Sequence, residues 1–451
     1  MFKNMKILIL GMARSGVAAA KVLRKRDNIV IINDLKEEHD SDVIKELTDL
    51  GIRLVLGSHP IDLIDDSINY VIKNPGIRDD HKLIMRAREL GIPVINEVEL
   101  AYLLMPSDVT LIGITGTNGK TTTTTLTYNI MHKAFGDKVH LAGNIGYPLC
   151  SILDKLKKDD IIVMEVSVQQ SVNIDKFHPH VALLTNYSPA HIDFLGTYEN
   201  YKKTKAKMFY NQSESDITIV NLNNKDALDE LKEIKSIKKY FSSSKKTNCY
   251  LKDNVIYYND EKIIDTDIIK IPGVHNIENI LGAISIAKEF DVSNEVISDV
   301  ISNFTGVEHR LEFVDEINSV RFYNDTEATN IKCTQIALSS FNNPVVLFLG
   351  GLERGQNFFD LKNYSKNVKA IIGIGECRER VREFGSKMKI DTYIHEHLKD
   401  GFKELNHIIK PGDIVLLSPA SASWDQYKEC EVRGMEFKKL VEELKNEYSK
   451  K

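Results

Sequence analysis

The stretch Leu111-Ile112-Gly113-Ile114-Thr115-Gly116-Thr117-Asn118-Gly119-Lys120-Thr121-Thr122 restricts this chain more than any other: a short apolar strand, a glycine turn, then Lys-Thr opening a threonine-rich helix. Such a turn aims several backbone N–H groups at one point, and the following helix adds the positive end of its dipole, so a polyphosphate fits there. In a site of this kind Lys120 reaches the β- and γ-phosphates and the Thr121 hydroxyl ligates Mg²⁺. Gly116, Thr117, Asn118, Gly119, Lys120, Thr121 and Thr122 are therefore the candidate nucleoside-triphosphate residues. Ile114 stands where the general pattern has its first glycine, but the close-approach glycines Gly116 and Gly119 and the Lys-Thr pair are kept. A plain strand-to-helix turn with a solvated lysine is the weaker alternative, because strand and helix both stand where the phosphate reading needs them.

A chain of 451 residues exceeds a single core and implies about three domains. Acidic residues outnumber basic ones, 64 to 59, for a net charge of −5. The two signs interleave, as in Lys36-Glu37-Glu38, which describes solvated helix faces and argues against nucleic acid as a partner. Cys150, Cys249, Cys333, Cys377 and Cys430 show no metal spacing, which fits a reducing cytoplasm. No apolar run approaches a membrane span and the first residues lead straight into a strand, so the chain reads as a cytoplasmic enzyme without a membrane partner.

In chain order, Lys6–Leu10 reads as a buried strand that turns through Gly11–Gly16 into a helix, and Ile29–Ile32 as a second strand ending at Asn33-Asp34. This is the layout of a dinucleotide-binding βαβ unit, with Asp34 where the ribose-reading acid belongs. Gly11, Ser15 and Gly16 do not spell G-x-G-x-x-G, so NAD binding is only one option here. Tyr70–Lys73 stops in Asn74-Pro75-Gly76, and Val94-Ile95 leads to Asn96–Leu100. Alternating strands and helices imply a mostly parallel sheet, closing near Met105–Asp108. The second domain starts at the phosphate loop, with a helix over Thr121–Ala134. Gly143–Gly146 follows a short strand near His140-Leu141 and is free to approach a ligand. The strand Asp160–Glu165 ends in a carboxylate suited to Mg²⁺. Val181–Asn186 delivers Ser188–Asp193, with His191, to the same edge. A helix over Tyr198–Tyr210 carries Lys202, Lys203, Lys205 and Lys207, most of them expected in solvent. Ser213–Lys270 reads as short strands and turns, with a hairpin near Asn248–Tyr258. An apolar helix over Ile280–Phe290 follows Asn276 and Asn279, which share a face suited to a base or ribose, with helix capping as the competing role of Asn276. Beyond Phe304, strands Val320–Tyr323, Val345–Leu349, Ala370–Ile374 and Ile414–Leu417 each deliver a polar loop at the carboxyl end, as in a further doubly wound sheet.

With Thr115–Thr122, Gly143–Gly146, Glu165, His191, His275–Asn279, His309-Arg310 and Asn324–Asn330 in this order, nearly the whole chain resembles the Mur ligases, the ATP-dependent amide ligases of bacterial cell-wall precursor synthesis. Ser418–Lys428 and the short first domain are similar to the members that join D-glutamate to UDP-N-acetylmuramoyl-L-alanine. The resemblance implies an α/β protein of three domains: a Rossmann-like parallel sheet in 1–106 for the uridine nucleotide, a P-loop ATPase-like domain in 107–303, and a Rossmann-like domain in 304–451. It replaces NAD by the UDP substrate and implies a monomer. It also implies that ATP converts the substrate carboxylate into an acyl phosphate, which the amine of D-glutamate attacks. Lys120, His191 and Lys205 then correspond to catalytic positions. Thr121, Glu165, His191 and Lys205 correspond to ligands of two Mg²⁺ ions, Lys205 as a carbamate formed with CO₂. Asn279, Arg310 and Asp325 fall with the ATP site. Ser15, Asp34, Asn74, Gly76, Asn144, Ser167 and Gln170 match positions toward the UDP-linked substrate, and Thr329, Arg354 and Ser423 those toward the D-glutamate carboxylates.

The chain departs from the family pattern at Val168, Ala190, Glu327 and Cys430. Glu327 reverses the charge of a usual lysine, and two unit charges at ~4 Å interact by about 4 kcal/mol at an effective dielectric near 20. A family member with another amino-acid acceptor, and a nucleotide-binding protein with little catalysis, therefore stay open as alternatives.

Overall fold

The computed structural model describes residues 2–448 apart from His191, with the Asp193 side chain also outside the described part. It is an α/β protein with three sheets. The first holds β1 (Lys6–Leu10), β2 (Ile29–Asp34), β3 (Arg53–Leu56), β4 (Tyr70–Lys73) and β5 (Val94–Asn96), all parallel, in the order β3-β2-β1-β4-β5. The order reverses between β1 and β4, which opens a crevice at their carboxyl ends. The runs Ile7–Leu10 and Tyr70–Ile72 are apolar because both faces of these central strands are covered.

The second sheet is built from β6 (Thr110–Thr115), β7 (Val139–Gly143), β8 (Ile161–Glu165), β9 (Val181–Leu184), β10 (Ile217–Asn221), β11 (Ile237–Ser242), β12 (Cys249–Lys252), β13 (Val255–Tyr258) and β14 (Glu261–Asp265), in the order β14-β13-β12-β11-β10-β9-β6-β8-β7. It is parallel from β7 to β12, and its far edge is the expected hairpin, β12 pairing antiparallel with β13. The third sheet comprises β15 (Glu312–Ile317), β16 (Val320–Asn324), β17 (Val345–Gly350), β18 (Val368–Ile374), β19 (Asp391–Ile394) and β20 (Ile414–Leu417), in the order β15-β16-β20-β17-β18-β19, with β15 alone antiparallel.

The first two sheets lie in one compact unit, residues 1–266 with 278–300, and the third in a second unit, residues 267–277 with 301–451. The first unit is fastened by the opening turn of the helix Glu97–Leu104. Asn96 Nδ2 donates to the Gln170 carbonyl, Glu97 Oε1 accepts from the Cys150 N–H, and the Glu99 carboxylate accepts from the N–H groups of Asp175, Lys176 and Phe177. These buried acids sit where a helix N-terminus favours negative charge. Burial pushes the Glu97 carboxyl up to about 7, against the Cys150 N–H. Among the described residues no helix is long and apolar enough to cross a membrane.

Two sequence expectations are corrected. The helix expected over Ile280–Phe290 begins six residues earlier and spans Val274–Lys288, so Asn276 lies inside its first turn rather than capping it. Of the helix lysines expected in solvent only Lys203 is exposed: Lys202 and Lys207 are half-buried, and Lys205 is buried.

Candidate active site

The carboxyl ends of β9, β6, β8 and β7 are neighbours, so the loops that leave them converge. The turn after β6 needs its glycines. Gly116 has φ +148° and a Cβ there would fall 1.8 Å from Thr185 Oγ1; Gly119 has φ +79° and its Cβ would fall 2.0 Å from Asn279 Oδ1. Neither conformation nor space admits another residue. Lys120 opens the helix Lys120–Phe135. The turn is held from the residues that follow β9, where Thr185 Oγ1 donates to the Asn118 carbonyl at 2.7 Å and Asn186 accepts from and donates to the Asn118 backbone. Lys120 Nζ folds back onto the Thr117 carbonyl at 2.9 Å. Asn279 reaches the same place, accepting from Thr123 Oγ1 at 3.3 Å.

Glu165 ends β8 next to this turn, with Val166 N–H donating to the Ile114 carbonyl. Its Oε1 accepts from Asn144 Nδ2 at 2.6 Å, whereas Oε2 is buried with no hydrogen-bond partner. A buried carboxylate oxygen left unsatisfied is costly, and it is the kind of hard oxygen donor that a divalent cation takes. Asn144 is fixed in turn: Gly143 leaves room for the Glu165 carbonyl, 2.3 Å from where a Cβ would stand, and Asn144 N–H donates to that carbonyl.

Lys205 comes to the same end of the sheet. Its side chain is buried, Nζ lies 3.1 Å from Thr115 Oγ1, and the ammonium position is 5.3 Å from the Tyr201 ring centre. Burial, followed by the nearby charge of Lys120, holds its amine well below the ordinary lysine value despite the opposing Glu165. Tyr201 is a residue the sequence reading missed: its hydroxyl meets Thr117 Oγ1 at 2.8 Å, linking the phosphate turn to the lysine-bearing helix. His191 lies outside the described residues. Ser167 and Gln170 form a reciprocal capping box on the short helix Val168–Ser171.

At the first sheet's crevice, Asp34 accepts from the Met12 N–H at 2.6 Å and the Lys36 N–H at 2.8 Å, so it pins the Gly11–Gly16 turn. Asn74 donates to Ser15 Oγ at 3.2 Å and accepts from the Gly76 N–H at 3.1 Å. Arg14 donates to the Gly146 carbonyl. A cleft of about 460 Å³ runs between Met12, Arg14 and Val17 on one side and Tyr147 and Pro148 on the other.

In the second unit the loops after β16, β20 and β17 sit at adjacent strand ends. Asp325 is turned inward: its carboxylate accepts from the Leu311 N–H and, at 2.7 Å, from Ser418 Oγ, and burial pushes it up to about 7. Glu327 lies 3.4 Å from Arg310 and forms a cluster with Cys430 and Glu431. Arg354 stacks 4.6 Å over the Trp424 ring, beside Ser423, whose hydroxyl is buried without a partner. Thr329 sits on the loop after β16 and is half-buried. Arg433, absent from the sequence reading, ties these loops together. Its buried guanidinium donates to Thr326 Oγ1, the Thr326 carbonyl and the Ser421 carbonyl at 3.0, 3.0 and 3.1 Å. One further nitrogen, Nη1, is buried without a partner, and burial lowers the guanidinium pKa to about 10. No local sequence signal marks it, because the groups that hold it come from Thr326 and Ser421.

Residues 114–287 match the family model of the Mur ligase middle domain. The chain is 43% identical over 446 residues to the UDP-N-acetylmuramoylalanine--D-glutamate ligase of Lactococcus lactis subsp. lactis strain IL1403, covering 98% of each protein. It is 42% identical over 448 residues to the enzyme of that name from Geobacillus kaustophilus strain HTA426, covering 98% of this chain and 99% of the other. Among solved structures, the UDP-N-acetylmuramate-alanine ligase MurC of Thermotoga maritima superposes with a TM-score of 0.59 at 18% identity, over 98% of this chain and all of that one, and shares the fold.

Proposed function

Since this chain belongs to the Mur ligase family, whose members are ATP-dependent amide ligases, we infer that it joins D-glutamate to UDP-N-acetylmuramoyl-L-alanine in peptidoglycan precursor synthesis. The full-length identity to enzymes of that name supports the acceptor. The observation that carries the chemistry is the orphaned buried Oε2 of Glu165 beside the phosphate turn.

A carboxylate is a poor electrophile, and ATP turns one of its oxygens into a leaving group. Backbone N–H groups of Thr115–Thr122 and the Lys120 ammonium cradle the phosphates and offset the charge that develops in transfer. Glu165 and Thr121 would hold a Mg²⁺ ion, which supplies Lewis-acid charge neutralisation at the transferring phosphoryl oxygens. The buried amine of Lys205, which sheds its proton more readily than an exposed lysine, suits reaction with CO₂, and the resulting carbamate with His191 would hold a second ion. Asn279 and Arg310 orient the nucleotide, with Asp325 setting the Arg310 loop from beneath. Ser15, Asn74 and Gly76, with Asp34 fixing their partner turn, receive the uridine diphosphate, and Asn144, Ser167 and Gln170 the muramoyl-alanine end. Arg354, Thr329 and Ser423 take the D-glutamate carboxylates, a guanidinium fork being suited to a carboxylate. The amine of D-glutamate then attacks the acyl phosphate, and the tetrahedral intermediate collapses to amide and phosphate. We assign 1–106, 107–303 and 304–451 as the uridine, ATP and amino-acid domains of a cytoplasmic monomer.

Phosphate release measured with UDP-N-acetylmuramoyl-L-alanine, ATP, Mg²⁺ and a panel of amino acids tests this reading. Release with D-glutamate alone is expected. Release with another amino acid would reassign the acceptor, and silence despite ATP binding would favour a nucleotide-binding protein.

A further inference from the structure

Lys73 ends β4, directly before the Asn74-Pro75-Gly76 turn at the crevice of the first sheet. Its side chain is wholly shielded from solvent. A lysine so placed is rare, because an ammonium loses its hydration on burial and must recover it from specific partners. Those partners all belong to the segment that follows. Nζ donates to the Ile77 carbonyl at 2.5 Å and lies 3.6 Å from Asp79 Oδ1. Asp79 is held from its other side by Arg88 on the helix Lys82–Glu89. Lys73 thus draws the chain back under itself across Asn74–Asp79. The turn above is correspondingly tight: Ile77 N–H donates to the Asn74 carbonyl, Asn74 N–H to the Leu10 carbonyl, and the Asn74 side chain packs on Gly11, where a Cβ would come within 2.7 Å.

We propose that Lys73 is a positioning residue for the uridine-nucleotide substrate, clamping the loop from Asn74 to Asp79 through Ile77 and Asp79 so that Asn74 and Gly76 face the Gly11–Gly16 turn. The proposal rests on the assignment of Asn74, Gly76 and Ser15 to that substrate. Lys73 touches neither reacting atoms nor the phosphate turn, so its loss weakens capture of one substrate only.

The test is steady-state kinetics on full-length Lys73→Met, Asp79→Asn and Asn74→Ala. For Lys73→Met the KM for UDP-N-acetylmuramoyl-L-alanine is expected to rise about 10-fold or more, with kcat within about twofold and the ATP KM unchanged. Asp79→Asn, altered at the more exposed end of the clamp, shifts the same KM in the same direction by less and decides the matter if Lys73→Met does not fold. A merely structural role would lower the thermal midpoint or the active fraction and leave KM alone. If Asn74→Ala raises the KM while both clamp variants leave it unchanged, the clamp is overturned. If Asn74→Ala also leaves it unchanged, the assignment of this loop to the uridine substrate is what fails, and the clamp with it.

Discussion

Lys205 Nζ lies 3.1 Å from Thr115 Oγ1, the last side chain of β6 before the phosphate turn, and that hydroxyl donates onward to the Val166 carbonyl next to Glu165. The lysine is thereby joined to the same strand ends as the nucleotide turn, with its amine unprotonated more readily than in water. Lys205→Ala is expected to lose activity by about 100-fold or more. Short carboxylic acids added to that variant should restore part of the rate, and stripping CO₂ from the unaltered enzyme should lower it. Full activity without CO₂ would remove the carbamate from the account.

Replacing Gly119 by alanine forces a Cβ to within 2.0 Å of Asn279 Oδ1 at a φ of +79°. ADP binding, followed by calorimetric titration, is expected to fall by at least about 10-fold, the turn losing the close approach that the phosphates need. Lys120→Ala should abolish phosphate release with little change in thermal midpoint, since Lys120 is half-buried rather than part of the core.

Glu327 and Arg310 form a half-exposed pair, a kind that contributes about 1 kcal/mol at most. Glu327→Gln should therefore leave stability nearly unchanged and, under the proposed assignment of Arg310 to the nucleotide, lower the ATP KM, because Arg310 no longer shares its charge with a carboxylate. A raised ATP KM would show instead that Glu327 helps to aim Arg310.

Arg433→Lys keeps the charge but loses the fork that spans Thr326 and Ser421. Destabilisation of about 2 kcal/mol in denaturant unfolding is expected, with the D-glutamate KM rising more than the ATP KM.

The Glu97 carboxyl, raised from 4.5 to about 7 by burial, gives a pH dependence of definite sign. The folded chain holds this proton more tightly than the unfolded one, so the contribution is complete below the unfolded value and is lost as pH climbs toward 7. Glu97→Gln removes that loss. Relative to the variant, the unaltered protein should lose on the order of 3 kcal/mol between about pH 5 and about pH 8, measured by urea unfolding. A gap that stays constant across this range would place the proton elsewhere.

Apolar strands were legible where the residues themselves decide: Lys6–Leu10, Tyr70–Lys73 and Ile414–Leu417 are hydrophobic apart from one terminal lysine in each of the first two, and form the strands read from them. β15 was not, because Glu312, Asp315 and Glu316 break the apolar pattern, and its pairing with β16 supplies what the sequence lacks. The start of the helix at Val274 was masked by Pro272-Gly273, which reads as loop. At the site, Glu165 and the phosphate turn follow from strand ends and glycines. Lys205 stands in Tyr-Lys-Lys-Thr-Lys-Ala-Lys, a run that looks solvated. Its burial depends on Thr115, ninety residues away in the chain, which no local pattern reveals. Arg433 was hidden because the groups that hold it lie on two other loops, Thr326 more than a hundred residues away and Ser421 twelve residues before it.

The opening turn of the helix Glu97–Leu104 reaches Cys150, Gln170 and Asp175–Phe177 with buried acceptors and an amide. Continuity of the peptide at Met105–Asp108 is thus not what keeps the first sheet with the second. A protease cut there should leave two fragments that elute together and melt in one cooperative transition, with the crevice of the first sheet still attached to the turn after β6.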